Sequence, residues 1–436
     1  MADRWKNVVL SDVIEIISGG TPKTNIPEYW GGQIPWLSVA DFNTGFKRVH
    51  SAEKSITDKG LAESATTVLS EGDIIISARG TVGVIAQLAV PMAFNQSCYG
   101  IRGIQGESDT DFIYYVLRHA VTEMKQIAHG GVFDTITRDT FKIINIDLPP
   151  IPEQHAIAHI FGTLDDKIEL NRQMNATLQA IAQALFTSWF VDFDPTHARA
   201  AGQQPPGLSP EIADLFPDTF VESEIGLVPT GWGVAPIGDM VQVMGGGTPS
   251  TKEPLYWEDG IYPFCTPKDM SSLTSSVVLH TERQLTDAGL AKVSSGQLPI
   301  GTVLLSSRAP IGYLAIAETP VSINQGIIAM VCDKELPNLY VLQWTKNNME
   351  RIIANANGST FLEISKRNFR PISVLVPPPA LLVAYMDIAE PIHQRITANL
   401  RESELLATTR DMLLPKLLAG ELHVCEAEYA IGGISK

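Results

Sequence analysis

The chain has 436 residues, of which 44% are hydrophobic and 18% charged, and its formal net charge is −16 at pH 7. This composition excludes a disordered polypeptide, and the length is that of about three domains. No apolar run approaches the roughly 18 residues of a membrane span, and the chain does not start with an apolar secretion signal. We therefore expect a cytoplasmic protein that is not exported and does not enter a membrane.

The four cysteines and nine histidines are dispersed along the chain. None of the cysteines forms a C-x-x-C pair, and the histidines do not have metal-ligand spacing, so the sequence predicts neither a disulfide framework nor a metal site. Reduced, partly buried thiols are expected instead. The cysteines are Cys98, Cys265, Cys332 and Cys425.

The acidic charge is unevenly distributed. Residues 1–148 carry 13 Lys and Arg against 17 Asp and Glu, and residues 229–376 carry 11 against 12. Residues 149–228 carry 3 against 11, and residues 377–436 carry 5 against 8. The first and third segments are thus close to neutral and can still present a basic face to nucleic acid, although the whole chain is acidic.

The sequence is a tandem duplication with a period of about 228 residues. SGGTPKTNIPEYWGG at Ser18–Gly32 returns as GGGTPSTKEPLYWEDG at Gly245–Gly260. GDIIISARGTVGVIA at Gly72–Ala86 returns as GTVLLSSRAPIGYLA at Gly301–Ala315. Each half is predicted to be one globular domain followed by one long helix. The predicted segments are a first domain at 1–148, a first long helix at 149–193, a linker at 194–228, a second domain at 229–376, a second long helix at 377–422 and a tail at 423–436.

Within each domain, the pattern mixes strands and helices. The β-rich runs IIIS and VLLS follow glycines, and INIDLPP and SVLVPP are typical of last strands that end at proline. Asp109–Ala128 and Asn338–Ala354 are predicted helices, the first capped by Asp109 or Asp111. The domains are therefore assigned to the α+β class.

The two long segments have heptad character, which favours packing of one helix against the other. An asparagine, Asn171 or Asn399, occupies the same a position in both copies, and a buried asparagine pair can fix helix register. Solvent-facing asparagines are the alternative. The proposed a positions are Ile157, Leu164, Asn171, Leu178 and Leu185 in the first helix and Tyr385, Ile392, Asn399, Leu406 and Leu413 in the second, and the proposed d positions include Ile160, Met174 and Ile181.

The sequence contains no recognisable catalytic constellation. The glycines at Gly245–Thr248 are not followed by the Lys-Ser/Thr of a phosphate-binding P-loop, and neither H-E-x-x-H nor G-x-S-x-G occurs. The D-L-P-P of the first copy becomes V-P-P-P in the second, and proline at the first turn of a helix explains both. Two copies with divergent polar residues indicate related recognition modules rather than one shared active site.

Two groups of polar residues are candidates for DNA contact. Arg, Asn and Gln make bidentate contacts to base edges, whereas Thr near glycine-rich turns suits phosphate. Residues shared by both copies could equally hold turns and strands, with Arg79 in a buried network, and a solvated surface is the alternative for each unshared residue. The shared candidates are Thr21, Arg79, Asn95, Gln96, Thr248, Arg308, Asn324 and Gln325. The unshared candidates are Lys23, Gln33, Asn43, Lys47, Arg48, Lys252, Lys268 and Ser272.

These motifs together resemble the specificity subunit of type I restriction–modification systems. The resemblance rests on G-G-T-P…Y-W, G-D-I-I-I-S-A-R-G-T-V-G, N-Q and P-P before each long helix, and on S-E-I-G-L-V-P-T-G-W at Ser223–Trp232 and L-L-P-K-L-L-A-G-E-L at Leu413–Leu422. It covers nearly the whole chain. The second copy departs at Arg308-Ala309-Pro310, where the first has Arg79-Gly80-Thr81, so equal roles for the two turns are not implied.

The resemblance implies two target-recognition domains that each read half of a bipartite double-stranded DNA site, with the long helices forming an antiparallel coiled coil between them. It further implies that two methyltransferase subunits carrying S-adenosylmethionine dock on this chain and that motor–nuclease subunits join for cleavage. No cofactor and no catalytic residue are expected in this chain itself.

Two other function classes are open from the residues alone. A duplicated adaptor that binds protein or glycan would suit the acidic charge and the absence of a basic stripe. A two-domain nuclease or methyltransferase would need a catalytic motif that the sequence lacks.

Overall fold

The computed structural model describes residues 5–127, 135–358 and 362–432. The chain divides into two compact units, which we call unit 1 (residues 1–170 and 402–436) and unit 2 (residues 171–401). The two boundaries between the units, at 170/171 and 401/402, lie within the two long helices predicted from the sequence. Each unit therefore contains one globular domain and one half of each long helix.

Unit 1 contains a mixed domain followed by the start of the first long helix. Its strands are β1 (Lys6–Val9), β2 (Ile14–Ser18), β3 (Trp30–Leu37), β4 (Arg48–Val49), β5 (Lys54–Ile56), β6 (Val68–Leu69), β7 (Ile74–Ser77), β8 (Ile85–Leu88), β9 (Met92–Phe94), β10 (Cys98–Gly103) and β11 (Asn145–Leu148). Its helices are α1 (Val39–Phe42), α2 (Asp58–Ala62), α3 (Thr110–Ile127), α4 (Arg138–Lys142) and the beginning of α5 (Ile151–Phe190).

The core of unit 1 lies on both faces of a five-stranded sheet of order β2-β10-β7-β8-β4. Strand β7 has four consecutive buried residues, so Ile74 and Ile76 enter the core shared with the helices. Ile75 points to the opposite face, where it joins residues of β3 and β9 from the second sheet, of order β5-β3-β9-β6. This alternation follows from the two-residue period of side chains along a strand. The all-apolar run IIIS is thus explained by burial on both faces.

The predicted caps and final strands of unit 1 are confirmed. Asp109 accepts a hydrogen bond from the backbone N–H of Phe112 at 2.9 Å, which caps α3. The predicted last residue of this helix, Ala128, lies outside the described residues. Strand β11 pairs antiparallel with β1 and leads directly into α5.

Unit 2 contains a second mixed domain. Its helices are the end of α5 together with α6 (Asp194–Ala200), α7 (Pro210–Ala213), α8 (Ile237–Met240), α9 (Pro267–Ser271), α10 (Asp287–Leu290), α11 (Asn338–Asn347), α12 (Met349–Ala354) and α13 (Lys366–Phe369). Its strands are β12 (Phe220–Ser223), β13 (Gly226–Pro229), β14 (Gly233–Pro236), β15 (Gln242–Gly245), β16 (Tyr262–Cys265), β17 (Val277–Val278), β18 (Arg283–Leu285), β19 (Val303–Ser307), β20 (Ile311–Ala317), β21 (Ser322–Ile323), β22 (Ile327–Val331) and β23 (Ser373–Val376). The second long helix, α14 (Pro379–Leu418), and α15 (Val424–Gly432) complete the described chain.

The topology of unit 2 repeats that of unit 1. Its main sheet has the order β15-β22-β19-β20-β17, which corresponds strand by strand to the main sheet of unit 1. Its last strand, β23, pairs antiparallel with β14, as β11 does with β1. The duplication seen in the sequence is therefore a duplication of the fold.

One predicted helix of unit 2 is interrupted. The segment Asn338–Ala354 forms α11 and α12, which are separated at Asn348. The Asn348 side chain donates a hydrogen bond to the carbonyl of Trp344 at 2.9 Å. Asparagine side chains compete in this way with the regular backbone hydrogen bonds of a helix. The backbone of Asn348 does not have helical geometry.

The segment predicted as a linker, residues 194–228, is folded onto unit 2. It contains α6, α7 and most of the β12–β13 hairpin. Its Phe216 is 1% exposed and packs against Trp189 of α5 with ring centroids 5.1 Å apart. The small residues and prolines of this segment therefore form short elements against the hydrophobic core rather than a free tether.

The two long helices pack antiparallel within each unit. In unit 1, Asp165 of α5 bonds Arg410 of α14, and Lys167 pairs with Glu402 at 3.5 Å. In unit 2, the side chain of Asn175 reaches the Ile396 carbonyl at 3.2 Å. Of the proposed heptad positions, the buried ones are Ile157, Ile160, Leu164, Asn171, Tyr385, Asn399 and Leu406.

The heptad assignment fails at Ile181, a proposed d position that is 48% exposed. Beyond Asn175 the first helix packs mainly on the domain of unit 2, through Phe186, Trp189 and Phe190. In this part of the helix an aromatic cluster makes the contacts, in place of a regular heptad interface between the two long helices. The four cysteines are free thiols, and among the described residues no helix combines the length and apolarity that a membrane span requires.

Candidate nucleic-acid interface

The shared threonine and glutamine of each copy bond to one another. Thr21, in the loop after β2, donates to the side-chain oxygen of Gln96, in the turn before β10. In unit 2, Thr248 donates to Gln325 in the same manner at 2.5 Å. The structure thus brings these four residues together in two pairs, a contact that the sequence did not predict. Their side chains join two loops at one end of the main sheet.

The shared asparagines shape the turn that carries those glutamines. Asn95 accepts a hydrogen bond from the backbone N–H of Ser97 at 3.0 Å, and Asn324 accepts one from Gly326 at 2.9 Å. A side chain that bonds the backbone two residues ahead forms an Asx turn. The Asn-Gln motif is thereby accounted for as loop architecture.

The two arginine turns differ, as the sequence departure at this point indicated. Arg79 is exposed and, within the described ranges, has no hydrogen bond or ion pair, so it is not part of a buried network. Arg308 lies 3.7 Å from the carboxylate of Glu363. The next residue is Gly80 with φ +77° in unit 1 and Ala309 with φ +55° in unit 2, both left-handed.

A buried serine that the sequence reasoning missed anchors each arginine turn. Ser77 donates to the carbonyl of Thr81 at 2.5 Å and accepts from the N–H of Val84 at 2.8 Å. Ser306 donates to the carbonyl of Pro310 at 2.8 Å and accepts from Tyr313 at 2.8 Å. The signal that could have revealed it is a serine at the end of the same apolar strand in both copies.

Lys47 and Arg48, proposed as DNA contacts, are directed toward helices of unit 1. Lys47 is 8% exposed, and its ammonium lies 4.9 Å from the ring centroid of Tyr115 and 3.8 Å from Asp111. Burial lowers the pKa of Lys47, and the Asp111 carboxylate acts in the opposite direction. Arg48 lies 3.3 Å from Asp166 of α5. This placement favours attachment of the domain to its helices over a phosphate contact.

The remaining unshared candidates are on the surface. Lys268 pairs with Glu282 at 2.7 Å, and Ser272 donates to the carbonyl of Asp269 at 2.9 Å. The others have exposed side chains that make no hydrogen bond or ion pair with the described residues. They are Lys23, Gln33, Asn43 and Lys252.

A further basic residue lies beside each arginine turn and was not singled out from the sequence. Arg138, at the start of α4, donates to the carbonyl of Ile16 at 3.1 Å and to Ser18 at 3.0 Å. Lys366, at the start of α13, extends along Gly245. The N–H of Ile136 bonds Ala78, which places α4 next to Arg79. Each domain thus has two basic positions at this end of its sheet. The sequence signal for the second position is that Thr137-Arg138 in the first copy corresponds to Ser365-Lys366 in the second.

The indole groups of the Y-W motif hold the loop that follows the G-G-T-P motif. Trp30 donates to the carbonyl of Lys23 at 3.3 Å, and Trp257 donates to the carbonyl of Ser250 at 3.0 Å. Trp36 adds a second indole bond, to the carbonyl of Gly20 at 3.0 Å. The loop is therefore fixed to its domain through its backbone, which leaves its side chains exposed.

The proposed register asparagines belong to a buried group of three. Asn171 donates to the backbone carbonyl of Asn399 at 3.4 Å, and Asn399 donates to the side-chain oxygen of Asn175 at 2.8 Å. All three are at most 2% exposed. Solvent-facing asparagines are thus ruled out here. Asn175, one helical turn after Asn171 on the same face, was missed although its i, i+4 spacing was visible.

Comparison with known proteins assigns the class of this molecule. The model of the family described as "Type I restriction modification DNA specificity domain" matches residues 2–180 and 229–391. The chain therefore belongs to the type I restriction–modification DNA specificity family, as its motifs predicted.

Individual relatives agree with that family. The type I restriction enzyme MjaIX specificity subunit of Methanocaldococcus jannaschii is 25% identical over 433 residues, which span 97% of this chain and 94% of the relative. The type I restriction enzyme HindI specificity subunit of Haemophilus influenzae is 28% identical over 354 residues, covering 71% and 76%. The crystal structure of a type I restriction–modification S subunit from M. genitalium has the same fold, with a TM-score of 0.57 at 15% identity and coverage of 95% and 96%.

The chain is a DNA sequence-recognition subunit, and it is a non-catalytic component of its system. The alternative of an adaptor for protein or glycan has no support among these relatives. Within the part of the chain that the structure describes, no group of three or more His, Cys, Asp or Glu side chains is placed to hold a metal ion.

Proposed function

We propose that this subunit reads a bipartite double-stranded DNA target, with one half-site recognised by each repeated domain. The observation that carries this proposal is the duplicated loop architecture, in which Thr21–Gln96 and Thr248–Gln325 join equivalent loops in the two units. Two surfaces with the same loop architecture and different exposed side chains are suited to two different half-sites.

The long helices supply the spacing between half-sites in this proposal. Helices α5 and α14 have 40 residues each, and at 1.5 Å per residue such a helix is about 60 Å long. One turn of B-DNA is about 34–36 Å. A helical pair of this length is comparable with one to two turns of DNA, and the buried group Asn171, Asn175 and Asn399 would hold its register.

The residues that we propose to meet DNA are those whose side chains are exposed and not used within the domain. Thr21, Asn95, Gln96 and their counterparts in unit 2 would position the loops and the DNA backbone, since they are shared. Base discrimination must come from residues that differ between the copies. The basic and amide candidates that meet this description among the described residues are Lys23, Gln33, Asn43, Arg79, Lys252 and Lys366. Arg138 and Arg308 lie at the same ends of the sheets but already bond within their domains, to Ile16 and Ser18 and to Glu363 respectively.

We further propose that two methyltransferase subunits dock on this chain and carry S-adenosylmethionine, and that motor–nuclease subunits join them for cleavage. The relatives named as type I restriction enzyme specificity subunits support a role in such an assembly. The acidic segment 149–228, with 3 Lys and Arg against 11 Asp and Glu, is suited to protein contact rather than phosphate contact.

A helix deletion tests the proposal. Seven residues, one heptad, are removed from each long helix at matched positions, and the methylated motif is determined by sequencing genomic DNA from cells that express the complex. The helical pair shortens by about 10 Å, so the unread spacer should shorten by about three base pairs of ~3.4 Å each. Retained methylation with the original spacer would contradict the proposal that the long helices set the spacing between half-sites.

A domain exchange is the companion experiment. Residues 229–376 are replaced by those of a relative, and this exchange should change one half-site only.

A further inference from the structure

A four-residue turn occupies the same place in both domains, and the same backbone hydrogen bond closes it in the two copies. In unit 1 the N–H of Ile26 donates to the carbonyl of Lys23 at 3.2 Å. In unit 2 the N–H of Glu253 donates to the carbonyl of Ser250 at 3.3 Å. The carbonyl that closes each turn also accepts the indole N–H of Trp30 or Trp257.

Each turn is held at its base as well as at its closing carbonyl. The base of the first turn is fixed by the bond from Thr21 to Gln96 and by the bond from Trp36 to Gly20. The base of the second is fixed by the bond from Thr248 to Gln325. Backbone and side-chain bonds outside the apex therefore hold each turn, as a recognition element requires if it is to keep its orientation when it binds.

The apex of the turn is the part that differs. Its two residues are Thr24 and Asn25 in unit 1 and Thr251 and Lys252 in unit 2, and all four are exposed. Among the described residues, neither Asn25 nor Lys252 has a side-chain hydrogen bond or an ion pair. The threonine is thus common to both copies, whereas the following position is an amide in one and an ammonium in the other.

We propose that the second apex residue of each turn reads a base, with Asn25 directed to an adenine of one half-site and Lys252 to a guanine of the other. The carboxamide of asparagine offers one donor and one acceptor, which match N7 and the N6 amino group of adenine in the major groove. The ammonium of lysine is donor only, which matches O6 and N7 of guanine. The shared Thr24 and Thr251 can contact phosphate in both half-sites. This inference rests on the proposed reading of one half-site by each domain.

Reciprocal substitutions in the full-length chain test the inference. Asn25→Lys and Lys252→Asn are each co-expressed with the methyltransferase subunits. The methylated motif is read from genomic DNA, and binding of the complex is measured on duplexes that vary one base at a time. Asn25→Lys should change the preference at one position of one half-site from adenine to guanine, by about tenfold or more, and leave the other half-site unchanged. Lys252→Asn should change one position of the opposite half-site from guanine to adenine.

Two controls separate base reading from charge and from folding. Asn7→Lys adds the same charge on β1, at an exposed residue outside the turn, and should leave the motif unchanged. Asn25→Ala removes the amide without adding charge, and its thermal unfolding should match that of the wild type. This variant should lose discrimination at the single position that Asn25→Lys alters.

The outcomes distinguish this inference from the function on which it rests. If the wild-type complex has a bipartite target and both Asn25→Lys and Asn25→Ala keep its adenine preference at every position, the inference is wrong and the proposed function stands. If the wild-type complex has no bipartite target, the proposed function itself fails.

Discussion

The carboxylate of Asp165 on α5 accepts a hydrogen bond from the guanidinium of Arg410 on α14, with side chains that are only 5% and 8% exposed. The other oxygen of Asp165 accepts the hydroxyl of Tyr115 on α3 at 2.7 Å. Burial acts to lower the pKa of Arg410, but Asp165 and Asp411 outweigh this effect and raise it. One buried carboxylate therefore joins the two long helices and the domain of unit 1.

Removal of one member of this pair should strongly destabilise unit 1. Arg410→Ala leaves Asp165 buried without its countercharge, and the loss of a buried partner costs about 3–5 kcal/mol. Chemical denaturation measures it. The half-exposed pair Lys167–Glu402, at 3.5 Å, is the control, and Lys167→Ala should cost less than about 1 kcal/mol. Equal effects of the two substitutions would contradict the role given to Arg410.

Asn399→Leu should destabilise the helical pair in unit 2. The substitution removes the donor to Asn175, whose side chain is 2% exposed, and an unpaired buried polar atom costs about 1–3 kcal/mol. Urea unfolding measures the loss, and Arg395→Leu on an exposed position of α14 should have little effect. Replacement of all three asparagines by leucine should instead raise stability and relax the register, visible as a wider range of accepted DNA spacers.

Trp257→Phe should weaken recognition by the second domain only. Phenylalanine keeps much of the edge-to-face contact with Phe264, at 5.3 Å between centroids, but cannot donate to the Ser250 carbonyl. The expected stability loss is about 1 kcal/mol. Binding to duplexes with one altered half-site at a time provides the measurement, and Trp30→Phe should affect the opposite half-site. Equal weakening of both half-sites by either variant would argue against separate loops for separate half-sites.

The interaction of Glu318 with α14 should make stability sensitive to acid. His393 Nε2 lies 2.8 Å from the carboxylate of Glu318, and Arg401 lies 3.5 Å from it. The hydrogen bond with His393 lowers the pKa of Glu318 below its ordinary 4.5, against the effect of burial. The ionised carboxylate therefore stabilises the folded state fully above about pH 4.5, and this contribution is lost as the pH falls through the lower folded pKa.

Glu318→Gln isolates that contribution. The difference in unfolding free energy between wild type and Glu318→Gln should shrink as the pH falls below about 4.5. Denaturation series at several pH values measure it. Glu258→Gln, at an exposed residue, is the matched control. A difference that grows as the pH falls would contradict the assigned direction.

The architecture was predictable because the same sequence pattern occurs in both halves of the chain. Strands such as β7 and β19 and the starts of α5 and α14 follow from apolar runs, glycines and prolines that recur after about 228 residues. The folding of residues 194–228 onto unit 2 was not predictable in this way. That segment has no counterpart in the second half of the repeat, and the residues that hold it on unit 2 are dispersed in a stretch of turn-forming residues. Phe216 and Val228 are in the hydrophobic core, and Leu208, Ile212 and Leu215 pack against it.

The side-chain directions at the interface were much less predictable. Lys47 and Arg48 appear in sequence as adjacent basic residues, yet Lys47 is buried over tyrosines of α3 and Arg48 pairs with Asp166. A lysine stem can lie in an apolar environment while its ammonium finds carboxylates, and only tertiary structure decides this. The same holds for Arg79 and Arg308, since Arg308 has an acidic neighbour in Glu363, whereas Arg79 has none among the residues that the structure describes.

The composition of unit 1 bears on how the chain folds as it leaves the ribosome. The core of that unit includes Leu406, Leu414 and Leu417, which pack in the same cluster as Ile157 and Phe161. These leucines are synthesised only after all of unit 2. Until then, part of the apolar surface of the first domain stays uncovered. Unit 2, whose residues 171–401 are contiguous, can complete its own core first, and the order in which the two units finish folding is then the reverse of the order of synthesis.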